Sequence, residues 1–499
     1  MLVLAVVCIL LFNVFVRLEY LVYPKDYSIF LYGLADKMLD EKEIRYYSYP
    51  LHLDGWDHLA IAKETIKKQT LIDYNPYLGE QIKDRNWEKA YTILLAETLL
   101  LTGIRPLIME AVFPTVMGFI LALNVFILLS YLTESRLAAL LSAIYALSFK
   151  SSSTLTGLWF NVPVAYGVAM MPLILYIFLK ALKGDNRWTL ALAIYFTTVT
   201  LAHPPSAIIY LPIFTVYLAS EPRLIKENLN RIIAACLLML LLALYFAPAE
   251  KIINELSFGD EPPPGTTLNP YYFLGYPTLI LALLGGLWCL KGGEKKILPL
   301  ALLSLTPFII QFYLTNELFL SPFRRLFTYL MMLALLVAGI GLWRLYAAVM
   351  EKLGDNKMMH TMVLWGLILL LLIQINSSYE DRHNLIISII KDDVADYEQL
   401  QQTPLNSKIL SNSVESRGVW FVGERRVIAL TAARLRASDK TNAKADGFST
   451  ERCEKQKPVI DELKADYVIS SRELNCSFLK ETYYGGRGRN RIYEYFESK

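Results

Sequence analysis

The feature that most constrains this chain is a succession of long apolar runs separated by short basic connections. The runs cover 1–22, 109–132, 137–149, 162–182, 189–203, 206–220, 231–248, 271–290, 297–314, 326–348 and 360–376. A helix rises about 1.5 Å per residue, so about 20 apolar residues cross a hydrocarbon core of about 30 Å. Several runs are shorter. The pairs 137–149 with 162–182, and 189–203 with 206–220, also read as helices that stop early or re-enter. The expectation is a polytopic α-helical membrane protein of about eleven spans. Composition agrees: 55% of residues are hydrophobic and 19% charged, against about a quarter charged in soluble proteins. Most of the charge lies in 17–105 and after Tyr379, and a net charge of +3 gives no reason to expect a nucleic-acid partner.

Lys and Arg in short loops set orientation. With Met1 inside, the cytoplasmic connections are 133–136, 183–187, 221–231, 291–296 and 351–357, and nearly all are basic. The opposite loops carry only Lys150, Lys251 and the Arg324–Arg325 pair. This places the N-terminus in the cytoplasm and residues 377–499 outside, together with the long segment 24–108. The compact exterior part and short loops point to a prokaryotic cell membrane. The first run is followed by Arg17 and Glu19 without a small-x-small cleavage site, so it reads as an uncleaved signal anchor.

Two parts are expected: a membrane domain over 1–376 and an exterior α/β domain over 377–499. Within the first, the loop 24–108 is too long for a plain connector. It holds a charged amphipathic stretch at 36–43, tyrosines at 46, 47 and 49, a helix over 56–68 and an apolar run at 91–101. In the second, 408–413, 426–430, 467–470 and 491–496 read as strands, and 440–450 as a polar turn. Cys8, Cys236 and Cys289 lie in apolar runs and read as core residues. Cys453 and Cys476 lie outside, where they can pair or remain thiols.

An ionisable group at mid-membrane costs of order 2.5–3.5 kcal/mol even by the lower estimates, and coupled transporters accept that cost at functional residues. Here the middles of the runs are almost free of charge, and exceptions such as Glu110 and Arg344 lie near run ends. That weighs against a transporter and directs attention to the exterior face. There, Leu53-Asp54-Gly55-Trp56-Asp57-His58-Leu59-Ala60 opens a helix. Spacing places Asp54, Asp57 and His58 near one end of it. Asp54 can be a helix cap, or a carboxylate that takes a proton from an acceptor hydroxyl or holds a divalent cation. Spacing alone leaves these open.

Asp54-Gly-Trp-Asp-His-Leu-Ala-Ile-Ala-Lys-Glu, followed by Asn75-Pro76-Tyr77, is similar to the first exterior loop of GT-C-type membrane glycosyltransferases. That superfamily includes oligosaccharyltransferases, protein mannosyltransferases and aminoarabinose-lipid transferases. Leu201-Ala202-His203-Pro204-Pro205-Ser206 resembles a His-Pro turn of these proteins, and Phe323-Arg324-Arg325-Leu326-Phe327-Thr328-Tyr329 their entry to a late span. Arg491-Ile492-Tyr493-Glu494-Tyr495 resembles the end of their small exterior domain. The chain departs from oligosaccharyltransferases at 151–163, which lacks the acidic residues that complete their metal site.

The resemblance implies transfer of a sugar, with inversion, from a polyprenyl-phosphate-linked donor to a lipid, glycan or protein acceptor. It gives Asp54 the role of base, with Asp57 as second candidate. The same two residues would hold Mg2+ or Mn2+ if a metal takes part. The transfer is either metal-independent or uses a site completed by Asp260 and Glu261. Arg324 and Arg325 can hold phosphate in bidentate fashion, or anchor at the interface. His58 and His203 can contact substrate, and Trp159 and Trp56 can stack on sugar rings or belong to an interfacial belt. Two rivals are a lipid or glycan transporter, and a non-catalytic scaffold whose Asp54, Asp57 and His58 point into solvent.

Overall fold

The computed structural model describes residues 53–81, 88–149, 160–246, 270–315, 323–353, 358, 361–363, 365–366, 391–431, 435, 437–485 and 490–496. The chain forms two compact units. One takes Met1–Leu21, Trp87–Tyr91 and Ala111–His383; the other takes Val22–Asn86, Thr92–Glu110 and Asn384–Lys499.

Up to Leu353 the described regular elements are helices. In chain order the described helices are α1 Leu53–Lys68, α2 Lys89–Thr102, α3 Met109–Thr133, α4 Arg136–Ala146, α5 Pro163–Ala181, α6 Asn186–Ala202, α7 Pro204–Ser220, α8 Pro222–Phe246, α9 Pro270–Cys289, α10 Ile297–Thr315 and α11 Phe323–Leu353. All of α4 to α11 lie in the first unit. Among the described residues, Val112–Thr133, Pro163–Ala181, Glu294–Thr315 and Arg324–Lys352 are long and apolar enough to cross a membrane. Arg136–Ala146, Pro204–Ser220 and Leu274–Cys289 are shorter apolar helices. The structure thus carries fewer full-length spans among its described residues than the eleven apolar runs; the run 1–22 and residues 367–376 of the run 360–376 lie outside those residues.

Local chemistry sets the breaks. Ser135 caps α4 by accepting from the Ala138 amide, and Asp185 caps α6 by accepting from the Arg187 amide. His203 ends α6 and precedes Pro204 at the start of α7, so the run from 189 to 220 is two helices with a turn at its middle. Helix α9 is kinked at Gly275, whose φ of 71° suits glycine, just before Pro277. Helix α11 is central and packs against α4, α9 and α10. Where α9 crosses α11, Gly285 lies against the Val337 carbonyl and Gly341 against the Leu281 carbonyl, so the two backbones touch.

Three of the basic loops meet at one end of this unit. Lys183 pairs with Glu294 at 2.9 Å, and Lys296 pairs with Glu221. Aromatic rings line the same loops: Lys180 lies 4.4 Å from the Tyr131 centroid, and Lys295 lies 4.0 Å from that of Trp288. Such a basic and aromatic rim is the chemistry of a membrane–water boundary.

In the second unit, α12 Lys391–Glu398, α13 Ser416–Gly423, α14 Asp439–Phe448 and α15 Cys453–Leu463 accompany a five-stranded sheet. The strands are β1 Lys408–Leu410, β2 Arg426–Val427, β3 Tyr467–Ser470, β4 Leu479–Tyr484 and β5 Arg491–Tyr495, in the order β2-β1-β3-β5-β4. Strand β1 runs parallel to β2 and β3, and β5 runs antiparallel to β3 and β4. The core is built on Leu410, Phe448, Ile460, Val468, Phe478 and Tyr493. A disulfide joins Cys453 to Cys476. The polar turn expected at 440–450 is instead α14. Ser438 caps it, accepting from the Thr441 amide, and Ala445 and Phe448 bury its inner face. Polarity misled because the helix shows the core only these two side chains.

Candidate active site

Helix α1 belongs to the second unit, where it packs against α13. Its N-terminal half is not amphipathic: Gly55 to Ala62 are all buried. An apolar stripe alone cannot cause this, so the helix has partners on more than one side. Trp56 meets Phe421 edge-on at 5.2 Å, and Lys63 lies 5.2 Å from the Trp420 centroid. The Lys63 ammonium also donates to the Phe421 carbonyl at 3.2 Å and to Glu424 Oε1 at 2.8 Å. Its hydrogen bond holds the Glu424 carboxyl below its usual range.

The segment after α1 is clasped to the same place. Asn75 Oδ1 accepts from the Tyr77 amide at 3.0 Å, which shapes the turn, while Asn75 Nδ2 donates to the Leu435 carbonyl at 2.7 Å. Tyr77 packs edge-on against Trp420 at 5.0 Å, and its carbonyl accepts from the Val427 amide at 3.1 Å. Gly79, at φ 75°, closes the turn with its Cα against the Arg426 guanidinium.

Within this framework Asp54 stands half-buried in the first turn of α1. The peptide dipoles of the helix favour a negative charge there. Asp57 and His58 are each 5% exposed. Asp57 Oδ1 lies 3.7 Å from Nε of Arg417, whose side chain is wholly buried. The Tyr77 hydroxyl is raised well above 10 by loss of hydration and by the negative Asp57, with Arg417 opposing. Asp54, Asp57 and His58 are therefore brought together on one helix end, as spacing suggested, but Asp57 has a cation beside it. Arg417 went unnoticed in the sequence. Its one signal is position: it heads the apolar run Gly418-Val419-Trp420-Phe421-Val422.

A divalent cation needs several oxygen or nitrogen ligands converging on one point. Among the described residues no group of three His, Cys, Asp or Glu side chains does so. The Asp57 carboxylate faces Arg417 instead. The described residues around α1 do not fit a metal.

The other candidates lie in the first unit. His203 is buried, with Nδ1 2.5 Å from Ser206 Oγ, and the Tyr329 hydroxyl donates to the same oxygen at 2.5 Å. The Tyr210 hydroxyl donates to the Gly167 carbonyl at 2.6 Å. His203 thus belongs to a buried network joining α5, α7 and α11. Arg324 and Arg325 are partly buried in the first turn of α11. Trp159, Asp260 and Glu261 lie outside the described residues.

No family model matches the sequence, and no curated protein is similar to it in sequence. Solved structures are similar. The apo oligosaccharyltransferase of Archaeoglobus fulgidus matches with a TM-score of 0.59 at 11% identity, over 93% of this chain and 69% of that one. A second form of that enzyme, tethered to an acceptor peptide containing an NVT sequon, matches with a TM-score of 0.57 at 12% identity, over 93% of this chain and 69% of that one. ArnT of Cupriavidus metallidurans, bound to undecaprenyl phosphate, matches with a TM-score of 0.58 at 10% identity, over 98% of this chain and 97% of that one. The chain has a GT-C-like fold over nearly its whole length.

Proposed function

We propose that this protein is an integral membrane glycosyltransferase that takes a sugar from a polyprenyl-phosphate-linked donor and transfers it to an acceptor hydroxyl or amide on the exterior face. The observation that carries the reading is Asp54: a half-buried carboxylate in the first turn of a helix held on two sides, within a GT-C-like fold. The similar ArnT structure holds undecaprenyl phosphate, and the similar oligosaccharyltransferase holds an acceptor peptide. Both ligands are of the classes proposed here.

In the hydroxyl case the acceptor oxygen bonds to the anomeric carbon as the carbon–oxygen bond to the lipid phosphate breaks. The hydroxyl proton passes to the Asp54 carboxylate, and the lipid phosphate leaves with the bonding pair. Attack from the face opposite the phosphate inverts the anomeric centre. Positioning of the acceptor and neutralisation of the departing phosphate supply the acceleration. Arg324 and Arg325 are assigned to the phosphate, since guanidinium groups match it bidentately. His203 orders the α6–α7 turn through Ser206. The N-terminus is assigned to the cytoplasm and the C-terminal residues to the exterior.

A non-catalytic scaffold is the rival reading. It expects Asp54, Asp57 and His58 in solvent, yet Asp54 is half-buried and the other two are each 5% exposed. The test uses purified protein in lipid nanodiscs, a panel of labelled polyprenyl-phosphate sugars, and parallel reactions with EDTA, Mg2+ or Mn2+. Transfer or hydrolysis of one donor, unchanged by EDTA, is expected. No turnover of any donor by a well-folded sample would favour the scaffold.

A further inference from the structure

The guanidinium of Arg417 is the least expected group in the second unit. Its side chain is 0% exposed, and among the described residues none of its three nitrogens makes a hydrogen bond. Arginine keeps its charge in any protein, so it cannot escape the cost of burial by losing a proton. A buried cation is tolerated when an opposite charge lies close, and removing only one member of such a pair leaves the other uncompensated. Among the described residues, the carboxylate beside Arg417 is Asp57, at 3.7 Å. The two residues lie far apart in sequence, on α13 and α1.

Asp57 follows Asp54 by three residues, so the two share one end of α1. The rest of the seam grips the same helix: Trp56 against Phe421, and Lys63 on Glu424 and the Phe421 carbonyl. These contacts hold the helix along its length, and the charge pair lies within one turn of Asp54.

We infer that Asp57 is the counter-ion of Arg417, and that the pair is a positioning device which fixes the first turn of α1 and so aims the Asp54 carboxylate. This rests on Asp54 being the base. It removes Asp57 from the list of bases and metal ligands, and adds Arg417 to the residues on which transfer depends without touching substrate.

The experiment compares Arg417→Met, Asp57→Leu and the double variant, all in the full chain in nanodiscs. Two readouts are taken: kcat and KM for sugar transfer, and hydrogen-exchange protection of amides 53–60. Each single variant is expected to lose about tenfold or more in kcat, with KM within about threefold, and to lose protection. The double variant replaces the charge pair by two apolar side chains. It is expected to regain protection and to recover kcat to within about fivefold of the parent. If neither single variant accumulates, a folded and active double variant alone supports the pair. A double variant that is protected yet as inactive as Asp57→Leu overturns the proposal, because Asp57 then takes part in the chemistry itself. Parental protection in Arg417→Met overturns it as well. Should the parent transfer no sugar, the proposed function fails, while exchange still decides whether the pair orders α1.

Discussion

Two adjacent glycines on α9 give a sharp test of the helix packing. A Cβ on Gly285 would collide with the Val337 carbonyl of α11, and backbone cannot swing aside as a side chain can. A Cβ on Gly286 would meet only Val337 Cγ1, at 3.7 Å, which is ordinary contact. Both positions gain about 1 kcal/mol of helix propensity when glycine becomes alanine. At Gly286 that gain stands alone, so Gly286→Ala is expected to stabilise by roughly 0.5–1 kcal/mol. At Gly285 it is set against overpacking of about 1–3 kcal/mol, more where backbone must move. Gly285→Ala is therefore expected to destabilise by roughly 1–2 kcal/mol. The neighbours should thus move in opposite directions, Gly285→Ala melting a few degrees below Gly286→Ala. Thermal unfolding in one detergent at one scan rate reads the difference. Equal melting temperatures, or a more stable Gly285→Ala, would refute the close approach of α9 and α11. Gly341→Ala should behave like Gly285→Ala, since its Cβ would meet the Leu281 carbonyl.

Two further outcomes concern the second unit. Half-buried Glu415 is pushed from 4.5 up to about 7 by loss of hydration, with Asp393 and Asp446 adding their charge. The folded protein then binds a proton more tightly than the unfolded chain between about 4.5 and 7. Stability should fall as pH rises through that window, by at most about 3–4 kcal/mol. Glu415→Gln should flatten that slope in hydrogen exchange of α13, and an unchanged slope would assign it elsewhere. The Cys453–Cys476 disulfide closes a loop of separation 23. Its removal by Cys453→Ser with Cys476→Ser should cost about 3 kcal/mol on loop closure, read as faster exchange in α15; unchanged exchange would contradict this.

Much of the architecture was readable because its causes are local. The apolar runs, the Pro204 break and the helix after Asp54 follow from hydrophobicity and backbone sterics. Strands β1, β2, β3 and β5 were legible as short apolar runs between turns. Strand β4 was not: Leu-Lys-Glu-Thr-Tyr-Tyr lies at the sheet edge, pairs only with β5, and exposes most of its side chains. Helix α14 was missed because tertiary contacts sustain it. Asn442 both donates to the Leu430 carbonyl and accepts from the Leu430 amide. The site divides in the same way. Asp54, Asp57 and His58 were visible as neighbours on one helix. That Asp57 has a buried arginine beside it was invisible, since Arg417 reads as an ordinary surface cation until the fold brings α13 to α1.

The most direct measurement is sugar transfer by parent and Asp54→Asn protein under single-turnover conditions, with the anomeric configuration of the product read by NMR. Asparagine keeps the size and polarity at the helix start but cannot accept the acceptor's proton. An inverted product from the parent is expected, with at least about a hundredfold loss of transfer in Asp54→Asn at parental thermal stability. Full activity in Asp54→Asn, or retention of configuration in the parent, would contradict Asp54 as the base of an inverting transfer.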